Sequence, residues 1–112
     1  MPRKPKTAGD QAVDALTADL GEGMEWSQIE LLTLESIRTA IDRSAKLREL
    51  LDAETGKALP SSRRVTELAA EIRQCEASVI RWAQSLDPRG ESVKSAAHQH
   101  AANARWGRRG TA

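Results

Sequence analysis

With 112 residues, no Phe, no Tyr and three Trp, the chain has material for one small domain and too few aromatics for a β-sandwich. Ala, Leu, Glu, Arg and Ile dominate, which favours helix. A net charge of +1 conceals a segregation: residues 1–7 carry three cations and no acid, residues 89–112 carry five cations and one acid, and between them nine cations face fifteen acids. An acidic body with basic ends points to a polyanion held by the termini, or to ends that are simply solvated.

The first 23 residues read as a flexible leader, punctuated by Pro2, Pro5, Gly9, Gly21 and Gly23, with a short helix over residues 10–20 as the alternative. The basic N-terminus has no apolar run behind it, so it is no secretory signal, and no stretch reaches membrane-span length. A cytoplasmic protein without membrane association is expected.

Residues 24–87 read as a helical hairpin domain. Ser27-Gln28-Ile29-Glu30 has capping-box form, with Trp26 and Leu31 placed for a hydrophobic staple. From Ser27 to about Asp52, Leu31, Leu34, Ile37, Ile41, Ala45 and Leu51 make a broad apolar side that Leu32, Leu47 and Leu50 widen further. Such breadth predicts more than one neighbour. Glu35–Arg38 and Asp42–Lys46 are spaced to pair along the helix. Gly56 and Pro60 break the pattern, and Ser61 or Ser62 can cap a second helix.

That second helix carries Val65, Leu68, Ile72, Cys75, Val79, Trp82 and Leu86 at alternating steps of three and four, the spacing of a helix–helix seam. Pro88 ends it, since proline lacks the amide a helix needs and disfavours helical geometry at Asp87. The fold class is therefore all-α: a long antiparallel hairpin with basic tails, expected to associate with copies of itself. Leu34, Ile37, Ile41, Val65, Leu68, Ile72, Val79, Trp82 and Leu86 are the candidate oligomerisation residues. Cys75, on the seam, reads as a packing residue rather than a reactive or metal-binding thiol.

Residues 88–112 read as a basic tail, partly helical at best: rich in Ala and poor in large apolar groups. His98 and His100 lack further ligands for a metal site. Lys57 follows Gly56, but the remaining glycine and hydroxyl positions of a phosphate-binding loop are missing, and no nucleophile–base set stands out. No catalysis and no cofactor are expected. Arg105, Trp106, Arg108 and Arg109 combine guanidinium groups for phosphates with an indole that can stack on a base or enter a protein groove. With Arg3, Lys4, Lys6 and Lys94 they form the candidate double-stranded DNA-binding set. Arg63, Arg64, Arg73 and Arg81 are a second basic group, read as solvated or paired with Glu67, Glu71 and Glu76.

The order of these features resembles the small-terminase-subunit-like proteins of actinobacterial phages and prophages. The resemblance spans about residues 24–106 and rests on three short elements: Ile37-Arg38-Thr39-Ala40-Ile41-Asp42, Glu71-Ile72-Arg73, and His98-Gln99-His100-Ala101-Ala102-Asn103-Ala104-Arg105-Trp106. Two features depart from the pattern: Leu59-Pro60 in place of His-Pro, and no helix-turn-helix before the hairpin. The resemblance implies a non-enzymatic oligomer that binds viral DNA for packaging in the host cytoplasm, with the large terminase subunit as a further partner. The alternatives are a protein–protein adaptor, or a small dimeric DNA-binding regulator of a prophage.

Overall fold

The computed structural model describes residues 4–90, which form three helices: α1 Ala8–Ala18, α2 Gln28–Thr55 and α3 Ser62–Gln84. Helices α2 and α3 are the two arms of a hairpin, and α1 lies against α2 alone. Among the described residues no helix is long and apolar enough to cross a membrane.

The seam closes inside the chain. Leu68, Ile72 and Cys75 of α3 are buried, as are Leu34 and Ile37 of α2, with Ile37 fully inaccessible. Val65, Val79, Trp82 and Leu86 continue the stripe half-buried, and Ile41 matches them on α2. Leu34, Ile37, Leu68 and Ile72, assigned to oligomerisation from the sequence, are thus covered within the hairpin itself. A tight turn sets the arms side by side, so each stripe finds its apolar cover on the other arm.

Ser44, also buried, puts a small side chain on the inner side of α2 and lets the arms approach. Two exposed ion pairs bridge the arms, Arg43 to Glu71 at 3.2 Å and Arg48 to Glu76. Of the three glutamates expected to pair along α3, Glu71 and Glu76 reach across to α2 instead, and Glu67 pairs with Arg63.

Each helix start has a local cause. Ser27 accepts from the Glu30 amide while the Glu30 carboxylate accepts from the Ser27 amide, both at 3.1 Å, completing the capping box read from the sequence. Ser61 caps α3, accepting from the Arg64 amide at 3.1 Å. The end of α3 falls three residues short of Asp87, because the Ser85 hydroxyl takes the Trp82 carbonyl at 2.6 Å and competes with the helical backbone bond.

Of the two readings of the leader, the short helix holds: it runs over Ala8–Ala18, two residues earlier than expected, with its own capping box. Thr7 accepts from the Asp10 amide and Asp10 accepts from the Thr7 amide, both at 3.1 Å. Asp in place of Glu or Gln at the third position hides this box from the usual pattern. That backbone hydrogen bond holds the Asp10 carboxyl below its ordinary range.

The two ends of the hairpin are tied by carboxylates. At the turn, buried Glu54 accepts from the Ser61 amide and from Lys57 Nζ, each at 3.0 Å. At the open end, the second oxygen of Glu30 accepts from the Asp87 amide at 3.1 Å, and the Gly21 amide donates to the Pro88 carbonyl at 2.9 Å. The link between α1 and α2 turns at Gly23, whose φ of 75° is a left-handed conformation that glycine adopts without a Cβ penalty.

Two predictions follow from this packing. Ile72→Asp should abolish the cooperative thermal transition seen by circular dichroism, because an unpaired buried carboxylate costs several kcal/mol, roughly the whole stability of so small a domain. The Ser61 amide, aided by the Lys57 ammonium, holds the Glu54 carboxyl below the usual glutamate range. Its stabilisation is therefore complete above that range and is lost as pH falls through the lowered value. Glu54→Gln should melt lower than the parent chain at neutral pH, and the gap should shrink steadily on acidification.

Candidate interaction surface

The docking of α1 shapes one side of the hairpin. Asp42, midway along α2, accepts from the Gly9 amide at 2.9 Å and from the Thr7 hydroxyl at 3.0 Å. A carboxylate suits this position because the first amides of a helix have no partner within the helix and carry its positive dipole end. Arg38 stands between Glu35 and Asp42, donating Nε to Glu35 at 3.0 Å and lying 3.6 Å from Asp42. The Glu35 carboxyl is held below its usual range by that arginine. Asp42 thus turns to α1 and Arg38 rather than to Lys46, which lies 3.5 Å from Glu49.

Gly9 is buried at the crossing, and a Cβ there would run into the Arg38 carbonyl oxygen. At the far end of α1 the Trp26 indole N–H donates to the Thr17 hydroxyl at 3.1 Å. The indole reaches α1 across the loop, which anchors the link ahead of α2.

Besides a groove near the turn lined by Leu47, Leu50, Arg64 and Leu68, an open groove lies on each flank of the seam. One, of about 470 Å³, runs beside the start of α1 between Ile41, Ala45, Val79 and Ile80, with Arg48 and Glu76 at its rim. Ile80 is 59% exposed there. The other, of about 430 Å³, lies on the opposite flank between Ser36, Ala40, Arg43 and Trp82. That flank of α2 also presents Ile29 and Leu32, 77% and 70% exposed. Cys75 lines both grooves from the seam.

Of the residues assigned to DNA, Lys4 is exposed ahead of α1, and Lys6 folds onto α1 to pair with Asp14. That carboxylate raises the Lys6 pKa. Arg3, Lys94, Arg105, Trp106, Arg108 and Arg109 lie outside the described residues, as do His98 and His100. On α3, Arg63 donates to Glu67 at 3.0 Å and Arg81 to the Ser78 hydroxyl at 3.4 Å. No group of three metal-ligating side chains occurs among the described residues.

What the sequence reading missed is the anchoring of the N-terminal segment. Chain direction there follows from Asp42: the N-terminal arm meets the hairpin at mid-height, and the C-terminal arm leaves beside Gly21 and Glu30 at the open end. Asp42 and Glu30 lie twelve residues apart on α2, about 18 Å along the axis at 1.5 Å per residue. The sequence signal for the anchor was Thr7-Ala8-Gly9-Asp10, a cap followed by a residue with no side chain where two backbones meet.

Compared with protein-family models, with curated proteins and with solved structures, the chain finds no match in any of the three.

Replacing Gly9 with alanine should detach α1 while leaving the α2–α3 hairpin folded, at a cost of about 1–3 kcal/mol typical of overpacking. Hydrogen exchange would then show lost protection confined to residues 8–18, with the α2 and α3 amides still protected.

Proposed function

We propose that this chain is a non-enzymatic, DNA-binding homo-oligomer that acts in viral genome packaging in the manner of a small terminase subunit. The carrying observation is the separation of charge over the fold: an acidic three-helix body, with basic segments that join it at mid-height and at the open end. Neither basic segment joins the body at the turn. Double-stranded DNA is the polyanion that such arms suit, through phosphate contacts that release counterions. Assembly would multiply these contacts by raising their effective concentration, so modest affinity per arm suffices. In this reading the large terminase subunit is the further protein partner.

A second reading, a protein–protein adaptor or a dimeric prophage regulator, is favoured by the exposed apolar flank carrying Ile29 and Leu32. Copy number separates the two: a high-order species in light scattering after size exclusion supports packaging, and a plain dimer supports the regulator or adaptor.

A gel shift on double-stranded DNA at several salt concentrations tests the arms. Removing residues 89–112 should weaken binding at least about tenfold and flatten its salt dependence, since fewer counterions are released. Binding that is unchanged by the deletion would overturn the assignment of the tail.

A further inference from the structure

The flank of α2 turned away from α1 holds a second pattern that borders the hairpin seam. Ile29, Leu32, Ser36, Ala40, Arg43, Leu47 and Leu50 follow one another at steps of three and four, so they form one stripe. Ile29 and Leu32 are mostly exposed at one end of it, while at the other Leu50 is 38% exposed and Leu47 is half-buried in a groove shared with Leu68 of α3. Single exposed apolar side chains are ordinary on a protein surface; a helical stripe of them is not.

The stripe is also symmetric about its own centre. Ile29 and Leu50 are equidistant from a point between Thr39 and Ala40, as are Leu32 and Leu47, and Ser36 and Arg43. A closed two-fold contact has this requirement: residue i meets j while j meets i. Apolar side chains fall opposite apolar side chains at both ends, and small Ser36 and Ala40 leave room near the middle. Charge follows the same symmetry. Glu35 and Arg43 lie on opposite sides of the central point, so a two-fold brings each Glu35 near the Arg43 of the other copy. Both are exposed and already oriented, Glu35 by Arg38 and Arg43 by Glu71.

We infer that this flank binds a second copy of the chain, with the two α2 helices antiparallel about a two-fold axis between Thr39 and Ala40. Two hairpins then share one four-helix assembly, and the copy number of any larger species is even. The inference deepens the assembly half of the proposed function and rests on it; the DNA half stands apart.

Sedimentation and light scattering on the full chain, over a range of concentrations, provide the test. The parent chain should be a dimer or an even multiple. Leu32→Glu should raise the dissociation constant of the pair at least about tenfold, with unchanged helicity because this side chain is exposed. Ile80→Glu, on the opposite flank, should leave the pair intact. Glu35→Arg and Arg43→Glu should each weaken it, and the two together should restore it. In a Cys75→Ala background, Ala40→Cys should form an interchain disulfide, whereas Leu59→Cys at the turn should not.

An oligomer whose mass is untouched by Leu32→Glu, or a charge reversal that fails to restore pairing, would overturn the two-fold contact and leave the assembly reading standing. A monomer at every concentration would overturn both. Even-numbered assemblies that Leu32→Glu breaks would support the contact whether or not they bind DNA, and failure to bind DNA would bear against the DNA reading alone.

Discussion

Two helices laid side by side share one seam and expose two flanks, and most of this molecule follows from that geometry. The seam is closed by Leu34 and Ile37 against Leu68, Ile72 and Cys75, a core one side chain deep. One flank of α2 is taken by α1, anchored through Asp42. The other flank remains exposed with Ile29 and Leu32 on it.

A core this thin cannot by itself fix where each segment crosses the next. Three carboxylates supply that precision, each accepting a backbone N–H from outside its own helix: Asp42 from Gly9, Glu54 from Ser61 across the turn, and Glu30 from Asp87. Backbone donors cannot swing away as side chains do, so these bonds define register at mid-height, at the turn and at the open end. Glu30 serves twice, capping α2 with one oxygen and holding the α3 exit with the other. The surface ion pairs are by comparison weak fasteners, screened by salt and exposed to water.

The hairpin itself was legible because its signals are local and periodic: Ser27-x-x-Glu30, the Gly56–Pro60 break, and the three-four rhythm of α3. Three features were not legible, for physical reasons. Periodicity shows that Leu68 and Ile72 need cover but not whose, and the short turn supplied it from within the chain. The start of α1 is set by Thr7 and Asp10 acting with Asp42 more than thirty residues away, a cross-chain anchor with no short-range signature. Glu71 and Glu76 have cations nearby along α3, yet the arginines of α2 reach them first once the arms are in register. The basic ends were conspicuous from charge alone, because charge needs no fold to be counted.

The position of Cys75 links the fold to its redox surroundings. Its sulfur lies in the seam with a groove opening on either side, and it is the chain's single thiol. Adding one oxygen turns a compact apolar filler into a polar group that wants water. A polar oxygen at this buried position works against the packing of α2 on α3.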